Sequence, residues 1–126
     1  MADEGTLATT AQVLLAIGAN ASAAQVLEAN TNIWILMAES DMEKAFGKLG
    51  ATPELVANYS DITASYKQWL ATVASHRAAF YGINQNQNTW QLATSQSKLN
   101  ICDSIWSGFL ADLKANSSEI VTMMGL

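Results

Sequence analysis

The chain has one cysteine, one proline and one histidine among its 126 residues. The single cysteine, Cys102, excludes an internal disulfide and gives no support to secretion. The single histidine, His76, leaves too few ligands for a zinc site or for the paired Glu-x-x-His motifs of a di-iron bundle. We therefore expect neither a metal nor a cofactor.

A catalytic site is also hard to assemble from this sequence. Cys102 and His76 could form a nucleophile–base pair, but Cys102 lies in an apolar helical stripe, where a thiol behaves as an inert hydrophobe. Glu39 and Glu43 are one helical turn apart, yet they could share acid–base work only in a desolvated cleft. The glycines are scattered and form no phosphate-binding loop. The sequence predicts a protein that is not an enzyme.

Charged residues are scarce, at 13%, and unevenly placed. Six acids and no Lys or Arg precede Lys44, whereas the remainder holds five acids and six bases. Tight nucleic-acid binding needs clustered Lys and Arg, so specific binding is not expected. An acidic stripe of Glu28, Glu39 and Glu43 could instead line a passage through which DNA slides, or could be an ordinary solvated helix face.

Long apolar runs are absent as well. Residues 33–38 form one of the longest, far below the ~18–20 residues that a membrane span needs. Residues 13–19 resemble the core of a signal peptide, but Asp3 and Glu4 stand where such a signal requires positive charge. We therefore expect no membrane association, and a protein that is intracellular or assembled inside a cell.

The sequence is instead rich in Ala, Leu, Gln and other good helix formers, with apolar residues at helical spacing. It predicts a short helix near residues 9–17, with Thr9 or Thr10 as cap and Gly18 as stop. A long helix follows over about 23–46, capped by Ser22 and ended by Gly47. The residues expected on its buried side are Val26, Leu27, Ile33, Trp34, Met37 and Ala38.

Two further long helices are predicted in the second half of the chain. Residues 52–54, Thr-Pro-Glu, are a start signal for a brief helix. Apolar spacing then predicts a helix over 62–81 ended by Gly82, a polar loop at 84–88, and a helix over about 89–115. The stripe expected on that last helix comprises Ile101, Cys102, Ile105, Trp106, Phe109, Leu110 and Leu113. Ser117 or Ser118 would cap a separate final turn.

These elements predict one all-α domain over residues 1–126, a compact bundle of three long amphipathic helices plus short terminal helices. The ends, 1–20 and 115–126, are candidate arms that reach a neighbouring subunit or fold back on their own bundle. The residues predicted to contact another subunit or a partner are Val13, Leu14, Trp90, Ile120, Val121, Met123 and Met124.

Three short motifs carry a resemblance: Ala19-Asn20-Ala21-Ser22-Ala23, Glu28-Ala29-Asn30-Thr31-Asn32-Ile33 and Met37-Ala38-Glu39. A small polar loop that opens a long helix in this way is similar to small structural proteins of tailed bacteriophages. The order that follows is a short connector, a Trp- and Tyr-bearing helix, a polar loop and a third long helix. Over about residues 13–113, the chain resembles the head–tail connector (adaptor) group of virion proteins.

The resemblance implies a mechanical function in the virion, with assembly in the host cytoplasm. Copies would form a closed ring of about twelve subunits between portal and tail proteins. The helix faces would bury Trp34, Trp69, Trp106 and Phe109 in each subunit, and Glu28, Glu39 and Glu43 would face the DNA channel. Two alternatives stay open: another virion part, such as a decoration or tail-completion protein, and a cellular helical-bundle module that binds proteins.

Overall fold

A computed structural model describes residues 5–18, 25, 28–48, 56, 59–85 and 92–123. Within these ranges every regular element is a helix, which confirms the prediction of an all-α chain at that level. None of the helices in the described ranges is long and apolar enough to cross a membrane. The elements in chain order are α1 (Thr10–Ile17), α2 (Glu28–Lys48), a 3-10 turn (Tyr59–Asp61), α3 (Ala64–Gln85) and α4 (Leu92–Met123).

The short helix α1 has the boundaries that its sequence predicts. Thr9 Oγ1 accepts a hydrogen bond from Gln12 N (3.2 Å), and Gln12 Oε1 accepts one from Thr9 N (2.9 Å), which is a capping box. Gly18 follows the last helical residue with a φ of +95° and donates its N–H to the Leu14 carbonyl. Local chemistry alone therefore sets both ends of α1.

The two glycines predicted to end the long helices do not end them. α2 continues through Gly47 to Lys48, and α3 continues through Gly82 to Gln85. A Cβ at position 82 would lie 2.9 Å from Cζ3 of Trp34, so Gly82 allows the buried indole to approach the helix. A glycine in a helix interior costs about 1 kcal/mol, whereas overpacking a core costs about 1–3 kcal/mol. At Gly82, close packing against Trp34 therefore overrides the stop signal.

The last helix is longer than predicted. The sequence predicted an end near residue 115 and a separate turn capped by Ser117 or Ser118, but α4 continues unbroken to Met123. Neither Pro nor Gly occurs between residues 109 and 124, and Asn or Ser costs a helix only about 0.5 kcal/mol. The signals predicted at Ser22 and at 52–54 lie outside the described residues.

α3 is the central helix and packs against α1, α2 and α4. Two clusters of buried side chains lie along it. The cluster along its first half contains Leu7, Met42, Ile62, Leu70, Val73, Phe109 and Leu113. The cluster along its second half contains Val13, Ile17, Trp34, Ile35, Ala79, Ile83 and Cys102. Early residues of α3 thus meet late residues of α2 and α4, so both of these helices run antiparallel to α3. In addition, Lys98 Nζ of α4 donates to the Ile17 carbonyl at the end of α1.

α2 turns a different side to the core from the one predicted. Trp34 and Ala38 are buried as expected, but Ile33 and Met37 are 54% and 38% exposed. Residues 33–38 are all apolar, so their sequence does not indicate which side faces inward. The prediction that Ile33 and Met37 belong to the core is wrong.

The buried stripe of α4 is narrower than predicted, because this helix packs mostly on α3 and only slightly on α2. Trp106 packs against the first core cluster, whereas Ile101 and Leu110 are 57% and 37% exposed, so their assignment to the stripe is wrong. The fully buried residues of the predicted stripe are Cys102, Phe109 and Leu113.

Candidate interaction surfaces

Glu39 of α2 holds the segment that precedes α1. Its carboxylate accepts hydrogen bonds from the backbone N–H of Thr6, at 2.8 and 3.1 Å, and from that of Leu7, at 3.3 Å. The Glu39 residue is only 5% exposed, and Leu7 and Ala8 are buried. A carboxylate that accepts backbone N–H groups recovers much of the cost of leaving water. We call this arrangement the Glu39 contact.

Two more acids of α2 also bond within the subunit. Glu43 Oε1 accepts a hydrogen bond from Val56 N at 3.0 Å. Asp41 Oδ2 lies 3.0 Å from Nε of Arg77 and also accepts the hydroxyl hydrogen of Tyr81. Each of these carboxylates joins α2 to a different part of the chain.

The predicted acidic stripe facing a channel is therefore wrong for Glu39, which is buried. Glu43 is half-buried and bonded to a backbone amide, and its place on a channel stays a prediction. The physical reason for both contacts is that backbone N–H groups of two other segments need acceptors, and these carboxylates provide them. The side chain of Glu28 lies outside the described part of the chain, so its role stays a prediction.

Arg77 joins three helices through its charge and its flat guanidinium group. The guanidinium carbon lies 4.5 Å from the ring centroid of Trp106, 5.0 Å from that of Phe80 and 5.3 Å from that of Tyr81. Burial, and next the hydrogen bond to Asp41, raise the pKa of Tyr81 above its ordinary value. The phenol therefore stays a neutral donor near pH 7. The polar groups of this cluster are paired with one another, which indicates a structural role.

The outward side of α2 is apolar. Ile33, Leu36 and Met37, here named the α2 row, are 54%, 45% and 38% exposed. Their i, i+3, i+4 spacing places them on one helix face, together with the exposed Ala29 and Ser40. α2 thus buries Trp34, Ile35 and Met42 on its inner side, and unlike an ordinary surface helix it also carries apolar residues on its outer side. Contiguous exposed apolar residues of this kind mark contact surfaces.

An open groove of about 230 Å³ runs between α1 and α3. A second, adjacent depression shares Gln12, Gln68 and Ala71 with it and reaches Tyr59; the two together are named here the α1–α3 groove. Lys67 and His76 lie among its described lining residues, which include no acid. Its first part is lined by Gln12, Leu15, Ala16, Gln68, Ala71, Thr72, Ser75 and His76.

The contact residues predicted on α1 lie only partly at the surface. Val13 is fully buried in the subunit's own core, so the prediction that it contacts a neighbour is wrong. Leu14 is half-buried, whereas Leu15, which was not predicted, is 82% exposed. Val13 and Ile17 are one turn apart and mark the inner side, and Leu15 lies two residues from each, about 200° around the helix. The helical spacing of the sequence therefore indicates that Leu15 faces outward.

The remaining predicted contact residues lie at the edges of the described chain. The backbone of Ile120, Val121 and Met123 belongs to α4, while their side chains lie outside the described part. Trp90 and Met124 lie outside the described residues altogether. Their proposed contacts stay predictions.

His76 and Cys102 occupy different surroundings. His76 lines the α1–α3 groove, with Nδ1 2.8 Å from the Thr72 carbonyl oxygen. Cys102 is buried in the second core cluster, and burial raises the pKa of its thiol to about 11, so it stays protonated at neutral pH. Across the described ranges, no group of three or more His, Cys, Asp and Glu side chains is placed to hold a metal ion.

Comparison of the chain with protein families, with curated proteins and with solved structures finds no match. No relative therefore assigns a role to the α2 row or to the α1–α3 groove.

Proposed function

We propose that this protein is a non-enzymatic structural subunit that assembles with copies of itself. Its place would be the virion of a tailed bacteriophage, as a head–tail connector (adaptor) ring between portal and tail. Each subunit would be a compact bundle of three long helices with short terminal helices, in a ring of about twelve copies. The sequence resemblance supports the virion, and the α2 row supports the assembly.

The α2 row is the observation that carries the proposal. Fully burying an exposed Ile, Leu or Met contributes about 1.5–3 kcal/mol. Because the three side chains are about half exposed, covering them would contribute roughly 2–4 kcal/mol per copy. That is less than the cost of association, so the row must act together with neighbouring surface. In an isolated subunit, the exposed side chains of the α2 row would contribute nothing to stability.

The charges around the row favour a copy of the same chain. Glu39 and Glu43 bond inward and Asp41 is paired with Arg77, so these acids do not oppose one another between copies. Lys44 is the exposed charge that continues the face of the row. Low surface charge and exposed apolar residues together are typical of subunits that pack on one another.

The test is the oligomeric state of two matched variants. Ile33→Ser removes an exposed side chain from the row, and Ile101→Ser removes one of nearly equal exposure, 57% against 54%, from α4. Light scattering should give a closed oligomer for the wild type and for Ile101→Ser, and smaller species for Ile33→Ser, with equal helix content by circular dichroism. A wild-type chain that stays monomeric at high concentration contradicts the proposal.

The virion assignment has a separate test in the genome that encodes the chain. Portal and terminase reading frames beside this one would support the connector. A neighbourhood of cellular genes, with no phage reading frames, would contradict it and favour a cellular binding module.

A further inference from the structure

We propose that the α1–α3 groove of one subunit receives the last turns of α4 from a second copy, which joins successive subunits head to tail. This inference rests on the proposed assembly of copies and adds a second contact to that of the α2 row.

α4 is longer than the helix on which it packs. It has 32 residues, against 22 in α3, on which it packs. The rings of Trp69 and Phe109 are 5.3 Å apart, and α4 runs antiparallel to α3. Counting residues from this pair places Ala64, the first residue of α3, level with about residue 114 of α4. The last turns of α4 therefore extend roughly 10–14 Å beyond the start of α3.

α4 is one continuous helix. Its helix is continuous to Met123, and the α1–α3 groove lies alongside the first half of α3, between α3 and α1. A continuous helix that runs past the start of α3 cannot turn back into that groove of its own subunit. A second copy, related by rotation, can present its groove at the same end of the subunit. Contacts of this heterologous kind close into rings.

The end of α4 and the α1–α3 groove have compatible side chains. The last turns of α4 include three apolar residues in sequence, Ile120, Val121 and Met123. The groove offers an exposed Leu15 and alanines between polar rims, which suits an apolar helix.

The charges of the helix end and of the groove also favour this contact. Glu119 is the sole charged residue between 115 and 123. In the groove, Lys67 lies with Nζ 4.7 Å from the Tyr59 ring centroid, and the described lining contains no acid to repel Glu119. A helix end whose one charge is negative and a groove with a basic rim are complementary.

Disulfide trapping between two full-length chains tests this contact. One chain carries Thr72→Cys, an exposed groove position, and the other carries Met123→Cys. Native Cys102 is buried with a raised pKa, so it does not compete. On oxidation with copper–phenanthroline, we expect a cross-linked pair at least about tenfold faster in this mixture than when Ser107→Cys, exposed on α4 outside the groove, replaces Thr72→Cys.

Two results would overturn the inference. One is equal cross-linking of the Thr72→Cys and Ser107→Cys chains with the Met123→Cys chain. The other is a doubly substituted chain, Thr72→Cys with Met123→Cys, that forms its disulfide within a monomer. If light scattering shows oligomers but no groove cross-link forms, the groove contact fails while the proposed function stands. If the wild type is monomeric throughout, the proposed function itself fails.

Discussion

Replacing Glu39 by alanine should release the segment before α1 and destabilise the fold. The substitution removes the acceptor of the Thr6 and Leu7 N–H groups, and hydrogen bonds to a charged group contribute about 1.5–3 kcal/mol. The desolvation cost of the buried carboxylate disappears at the same time, which offsets part of that loss. The segment before α1 can also undock into solvent. The loss of stability therefore cannot exceed the free energy of docking this segment, which comes chiefly from burial of Leu7 at about 1.5–3 kcal/mol. We therefore expect a loss of about 1–3 kcal/mol in the free energy of unfolding.

Urea unfolding followed by tryptophan fluorescence measures this loss, and amide hydrogen exchange at Thr6 and Leu7 localises it. Ser40→Ala, an exposed change on the next residue of α2, is the control and should stay within about 0.5 kcal/mol of the wild type. Glu39→Gln keeps the shape and one acceptor oxygen, so it should fall between the two. An unchanged midpoint for Glu39→Ala, with unchanged protection of both amides, would refute the role assigned to the Glu39 contact.

Further predictions concern two glycines and the cysteine. Gly82→Ala should lower the free energy of unfolding by about 1–2 kcal/mol, because its Cβ would lie 2.9 Å from Trp34, whereas Gly108→Ala meets nothing within 4 Å and should raise it by up to about 1 kcal/mol in denaturant titrations. The reverse order would show that the Gly82 helix can shift away from Trp34. Folded Cys102 should react slowly with Ellman's reagent at pH 8, and Ser107→Cys should add one fast thiol. Burial raises the pKa of Cys102 from 9.0 to about 11. The contribution of the buried thiol to the free energy of unfolding is therefore complete below pH 9 and is lost as the pH rises through about 11. A thiol that titrates near pH 9 in the native protein would contradict its burial.

The inward carboxylates of α2 and the exposed α2 row are two sides of the same helix. Two of the carboxylates are occupied by backbone N–H groups, from the segment before α1 and from Val56, and those groups lie on the inner side. Ile33, Leu36 and Met37 lie exposed on the opposite side of α2 from these hydrogen-bonded acids. A helix of this kind is stable in a subunit whose outer side is also covered, which is the physical basis of the proposed assembly.

The sequence by itself determined the features that depend on neighbouring residues. The capping box at Thr9 and the left-handed Gly18 bound α1 where local chemistry places them, and the helical spacing from Ile62 onward predicts α3. The lone histidine and cysteine likewise limit the chemistry before any fold is known. These features need only contacts a few residues apart, which a sequence displays directly.

The tertiary structure decided what depends on distant partners. An uninterrupted apolar run at residues 33–38 does not specify its inward side. Trp34 and Ile35 pack inward on distant helices, and Glu39 and Glu43 accept the N–H groups of other segments on that same side. The sequence predicts that Gly82 ends its helix, but in the structure Trp34 packs against Gly82 and the helix continues. In each case the free energy of a long-range contact exceeds the local preference of about 1 kcal/mol or less, so the local signal does not determine the outcome.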